Sequence, residues 1–110
     1  YDCNHFVPYS SNIDLKPWDH WDGKLIKIPY SWEDDVHCVY GWDWHTDFLN
    51  NRNIKVFDFH PIHIFLNTEH LDRYEKSREF HGSLEKLSAY VYDGYGTYNF
   101  LIDLINKGIK

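Results

Sequence analysis

Two short runs decide what this sequence can fold into. Lys24-Leu25-Ile26-Lys27-Ile28 and Ile54-Lys55-Val56-Phe57-Asp58-Phe59 are rich in β-branched and aromatic residues, and each is stopped by a proline, Pro29 or Pro61. Runs of that length and make-up read as strands, and proline ends them because it has no N–H to give a ladder. Helical signals surround them. The segment from Ser31 to Trp44 is aromatic and acidic, with Glu33-Asp34-Asp35 as a turn or helix start. Thr46-Asp47-Phe48-Leu49-Asn50 suggests a short capped helix. Residues 68–78 carry Leu71, Tyr74 and Arg78 at helical spacing behind a Thr68 cap. Thr97 is the candidate cap of a final helix striped by Phe100, Leu101, Leu104 and Ile105, with Gly108 as its end. Residues 1–22, punctuated by Pro8, Ser10-Ser11-Asn12, Pro17 and Asp22-Gly23, read as a long ordered loop. Ile64-Phe65-Leu66 reads as an extension of the second strand. Strand, helix, strand, helix is an α/β pattern with a parallel sheet. Two or three strands leave bare edges and little core, so the expectation is one incomplete domain over residues 1–110.

Composition narrows the function. With 43% hydrophobic and 25% charged residues, the chain is neither disordered nor membrane-spanning. The absence of an initiator Met and of a basic leader before an apolar run is what a processed or excised piece would show. A net charge of −6 argues against nucleic acid, which needs clustered Lys and Arg, and suits a neutral polar ligand better. Cys3 and Cys38 are too few for a disulfide scaffold and too far apart for a CxxC pair. Two buried thiols are the expectation; the compartment stays open, with the cytoplasm as the working assignment. Aromatics make up 19% of the chain, including Trp18, Trp21, Trp32, Trp42 and Trp44. Packing accounts for most of them, and sugar stacking is the alternative, strongest at Trp32.

Chemistry-bearing residues gather after the strands, as α/β folds generally arrange them. Ile28-Pro29-Tyr30-Ser31-Trp32-Glu33-Asp34-Asp35 and Phe57-Asp58-Phe59-His60-Pro61-Ile62-His63 together offer carboxylates, an indole and imidazoles at the ends of neighbouring strands. A carboxylate that orients and charges a His suits general acid–base work. The alternative is a solvated helix start at Glu33-Asp34-Asp35 and a turn cap at His60. His60 and His63 form an HxxH, yet along a strand residues three apart point to opposite faces, and Pro61 pushes His60 towards an extended backbone. No complete zinc site is therefore expected within this chain. His5, His20, His37, His45, His70 and His81 are scattered and read as surface or structural. No GxSxG elbow or Gly-rich phosphate loop occurs, and Asp93-Gly94-Tyr95-Gly96 reads as a tight turn.

Four segments carry a resemblance. Tyr1-Asp2-Cys3-Asn4-His5-Phe6-Val7-Pro8 resembles the stretch after the third motif of polysaccharide deacetylases of the NodB-homology type. Ile28-Pro29-Tyr30-Ser31-Trp32-Glu33-Asp34-Asp35 resembles their fourth motif, and Val56-Phe57-Asp58-Phe59-His60-Pro61-Ile62-His63-Ile64-Phe65-Leu66-Asn67-Thr68 their fifth, particularly in surface-polysaccharide members. Gly94-Tyr95-Gly96-Thr97-Tyr98-Asn99-Phe100-Leu101 resembles the last turn and helix. The resemblance implies the C-terminal portion of an irregular β/α barrel whose N-terminal half is missing. It also implies hydrolysis of an N- or O-acetyl group from a sugar, helped by a divalent metal, usually zinc. The family's ligands, one Asp and two His, its catalytic base and a third-motif arginine would all precede Tyr1. What carries over is the general acid at His60, supported by Asp34 or Asp35, with Trp32 lining the acetyl pocket and Tyr30 and His63 on the substrate side. The chain alone is then expected to be inactive, its partner a carbohydrate. A non-catalytic carbohydrate-binding remnant of the same fold is the rival reading.

Overall fold

The structure, a computed structural model, describes residues 5–8, 11–46 and 55–109. Its elements fall into two compact units: Tyr1–Glu33 with His45–Asp58, and Asp34–Trp44 with Phe59–Lys110. Cys3, Ile54 and residues 47–50 of the expected short helix lie outside the described residues.

Among the described residues the first unit holds four short strands. β1 (Trp18–His20) and β2 (Leu25–Lys27) form an antiparallel hairpin with His20 opposite Leu25. Its turn runs through the left-handed region at Trp21, Asp22 and Gly23, with φ of 55, 53 and 80°. Glycine takes that conformation without steric cost, which is why the chain can reverse at Asp22-Gly23. β3 (Trp32–Glu33) and β4 (Phe57–Asp58) pair in parallel, Trp32 opposite Phe57 and Glu33 opposite Asp58. The Ser31 N–H donates to the Val56 carbonyl at 3.1 Å, and a parallel bridge joins Phe6 to Tyr30. Residues around 6, 30–33 and 56–58 thus run side by side in one direction. Trp32, Leu15 and Pro29 are buried apolar side chains of this unit.

Three strand expectations change. The opening loop contains β1. The 24–28 strand pairs with β1, not with the second run, because a four-residue turn closes locally at a small entropic cost. Of residues 54–59 the described strand is Phe57–Asp58, and its parallel partner is Trp32–Glu33. Among the described residues each sheet has two strands and no closed barrel forms, so the architecture is a small mixed α/β one.

The second unit is helical: α1 (Asp34–Tyr40), α2 (Pro61–Leu66), α3 (Leu71–Ser77), α4 (Leu84–Leu87) and α5 (Thr97–Ile109), with 3-10 turns at Arg78–Phe80 and Ser88–Tyr90. Ile64-Phe65-Leu66 is helix rather than strand. His60 is extended at φ −93° and ψ 130°, as a residue before proline should be, but Pro61 then occupies the first helical position, where its missing N–H costs nothing. Asn67 ends α2 in the left-handed conformation, at φ 52° and ψ 47°. The cap of α3 is His70, whose ring accepts from the Asp72 N–H at 3.2 Å; Thr68, expected there, is instead fully buried. The Thr68 carbonyl accepts from both the N–H and the hydroxyl of Thr97, at 2.9 and 2.7 Å. Thr97 is therefore the first residue of α5 and spends its hydroxyl on that contact, while the helix runs through Gly108 to Ile109.

Asn67 ties these pieces together. Its amide donates to the Tyr92 and Gly94 carbonyls and to Asn99 Oδ1, and its own Oδ1 accepts from the Tyr98 N–H. The loop before α5 can come this close because residue 96 is glycine: a Cβ there would stand 2.1 Å from the Asn67 carbonyl oxygen. Gly96→Ala should lower stability by roughly 1–3 kcal/mol or more, read as a shift of the urea midpoint at unchanged slope. Leu66, Leu87, Phe100 and Cys38 form the buried apolar set of this unit. Burial pushes the free Cys38 thiol up to about 12, so it is an inert core residue and no nucleophile. No helix among the described residues is long and apolar enough to cross a membrane.

Candidate active site

α1 opens on two adjacent carboxylates and α2 opens after a histidine, and the second unit packs these openings together. Asp34 is fully buried. Its Oδ2 accepts from the backbone N–H of His60 at 2.7 Å, and its Oδ1 lies 2.6 Å from His60 Nδ1 and 2.9 Å from the Asp35 N–H. With backbone donors already aimed at both oxygens, the carboxyl acts as an acceptor, so Nδ1 carries the ring proton and Nε2 is the nitrogen through which His60 can exchange one. The clamp holds backbone and ring at once, fixing the orientation of an imidazole that remains 40% exposed. Burial raises the Asp34 carboxyl above its ordinary range, while the hydrogen bonds from His60 act against that shift.

A second pair stands beside the first. His63 Nε2 lies 2.5 Å from Asp35 Oδ1, and His63 Nδ1 lies 3.0 Å from the Thr68 hydroxyl. His63 is buried, whereas the Asp35 side chain is 43% exposed and its Oδ2 comes within 3.8 Å of His60 Nδ1. The aspartate that holds His60 is thus Asp34, and Asp35 belongs chiefly to His63. The expectation that His60 and His63 point to different sides of the backbone is overturned. Their ring centroids are 6.0 Å apart, and both line a cavity of about 360 Å³ with Asp35, Val39, Leu71, Tyr74 and Glu75. The cause is the misread helix: a residue at the cap and one three positions later share a face.

Tyr30 and Trp32 belong to the first unit. Burial raises the Tyr30 hydroxyl, with the Glu33 and Asp58 carboxylates adding to the shift, and its ring stacks on Phe6 at 5.4 Å. Trp32 is wholly buried beside Phe57 and shows no exposed ring face. Sequence reading missed Tyr74, Glu75, Leu71 and Val39 as cavity residues and Thr68 as the anchor of His63. The helical spacing of Leu71 and Tyr74 was visible, but such a stripe usually marks core.

Asp34, Asp35 and His63 place ligand-type atoms within 4.8 Å of one another. Both Asp34 oxygens and both His63 ring nitrogens are, however, already engaged in hydrogen bonds. A cation there would have to break the clamp on His60, so these residues do not fit a resident metal ion.

The sequence profile of the WbmS-like polysaccharide deacetylases matches residues 1–78, which takes in both carboxylate–histidine pairs. The chain belongs to that family. The crystal structure of WbmS from Bordetella bronchiseptica, a proposed polysaccharide deacetylase involved in O-antigen biosynthesis, superposes with a TM-score of 0.87 at 44% identity. The match covers 97% of this chain and 46% of WbmS, so the chain spans about half the length of that WbmS-like relative. Among proteins of curated function none is detectably similar to it.

Proposed function

We propose that this WbmS-like chain supplies the general-acid part of a carbohydrate deacetylase, removing an acetyl group from a sugar of a surface polysaccharide. The observation that carries the reading is the double grip of buried Asp34 on His60. A carboxylate bonded to Nδ1 fixes the tautomer, aims Nε2 and favours the charged ring, which is what a proton donor to a leaving amine or hydroxyl needs. In this reading water adds to the acetyl carbon, the bond from that carbon to the sugar nitrogen or oxygen breaks, and His60 hands its proton from Nε2 to the departing sugar atom while Asp34 steadies the imidazole. Asp35 and His63, which line the cavity beside His60, support the substrate side. A divalent ion, zinc by family resemblance, would polarise the acetyl group, with its ligands on the remaining half of a β/α barrel of which this chain is the C-terminal portion.

The test is acetate release. The 110-residue chain should release none from acetylated sugars even with zinc or cobalt added, whereas a chain that also carries the other half of a WbmS-like deacetylase should be active. Turnover by the 110-residue chain alone would refute the division of labour. An inert longer chain that still binds sugar would make the fold a binding module.

A further inference from the structure

The cavity beside the two histidines has a wall that the acid role does not use. α3 contributes Leu71, Tyr74 and Glu75 to it, and Asp35 faces them from α1. At about 360 Å³ it lies near the small end of the roughly 300–1,000 Å³ typical of ligand pockets, enough for a single sugar unit. The charges on its lining are of one sign apart from the imidazoles. Among the described residues that line it, Asp35 and Glu75 carry carboxylates and no Lys or Arg occurs. Arg78 approaches Glu75 at 3.0 Å and lies over the Tyr74 ring at 5.6 Å without being part of the lining, so it steadies Glu75 and partly offsets its charge.

From this, and resting on the deacetylase reading, we infer that the cavity is a charge-selective sugar subsite: it accepts uncharged sugar units and rejects acidic ones, with Glu75 as the specificity-determining residue. Tyr74 offers a ring edge and a hydroxyl to a pyranose, Leu71 and Val39 meet its C–H surface, and the two carboxylates accept from sugar hydroxyls. A uronic acid placed there would bring a third carboxylate beside Asp35 and Glu75, with no Lys or Arg among the described lining residues and only the imidazoles to offset it. Like charges a few ångströms apart in a partly screened site cost enough to weaken binding several-fold.

The 110-residue chain can be titrated with methyl glucoside and with glucuronate at low salt and pH 8, binding being read from chemical shifts of the His60 and His63 rings. Glucuronate should bind at least about fivefold more weakly than the neutral sugar, and 0.5 M salt should narrow the gap. Glu75→Gln, at a half-exposed position, should recover roughly threefold or more of the glucuronate affinity and so narrow the gap between the two sugars. Arg78→Ala should widen the gap instead, because Glu75 loses its counter-charge. Equal binding of the two sugars, or a gap that Glu75→Gln does not move, would overturn the inference and leave the deacetylase reading standing. If neither sugar binds, the carbohydrate reading falls and this inference with it.

Discussion

His60→Ala, made in a WbmS-like chain of the length of WbmS, is expected to lower acetate release by roughly 10²–10⁴-fold, the usual worth of a positioned acid. The loss should fall on turnover. His60 is half-exposed and clamped by Asp34, a placement suited to moving a proton. Zinc content measured on the same preparation should stay unchanged. Metal lost together with activity would recast His60 as a ligand.

Asp34→Ala should have the largest effect on stability. The side chain is fully buried and serves the backbone N–H groups of His60 and Asp35 as well as the His60 ring. Depriving two backbone donors of their acceptor costs about 1–3 kcal/mol each, so a total of roughly 2–4 kcal/mol is expected once partial rehydration is allowed for. Activity should fall too, because the imidazole loses the group that orients it. The pH dependence has a definite sign. Burial raises the folded-state pKa of Asp34 above its ordinary 3.8, so its contribution is fully present below that value and is lost as pH rises through the folded pKa. Against Asp34→Asn, which cannot titrate, the native protein's advantage should be greatest in acid and shrink as pH rises. Urea denaturation of the two proteins across that range measures it. A gap that widens with pH would mean the hydrogen bonds outweigh burial.

What the sequence disclosed of the site came from chain position together with the resemblance of residues 28–35 and 56–68 to deacetylase motifs. Asp34, Asp35 and His60 each lie one or two residues past a strand end, and α/β sheets collect chemistry there. Their meeting was legible, although the strand pairing was not. Trp32–Glu33 is a two-residue strand with no periodicity to detect, and the longer 24–28 run was drawn into a local hairpin by Asp22-Gly23. Pro61 misled in a similar way. A proline after a strand ends it, but the same ring pre-sets the first turn of a helix, and that helix brought His63 to the side of His60. Thr68 had the sequence of a cap and the surroundings of a core residue. The identity of the aspartate that grips His60 depended on packing between α1 and α2, which no local pattern encodes. The cavity wall on α3 was invisible for the same reason.

The proposed acid role of His60 is to give a proton to the leaving group. It is tested most directly by comparing two substrates in the WbmS-length chain with and without His60→Ala. One is an acetamido sugar, whose amine must be protonated to leave; the other is an aryl acetate, whose phenolate leaves unaided. A proton donor predicts that the variant loses roughly 10²–10⁴-fold on the sugar amide and stays within about tenfold on the aryl ester. Equal losses on both substrates would contradict the claim and assign His60 a positioning or ligand role, and no loss on the amide would remove it from the chemistry.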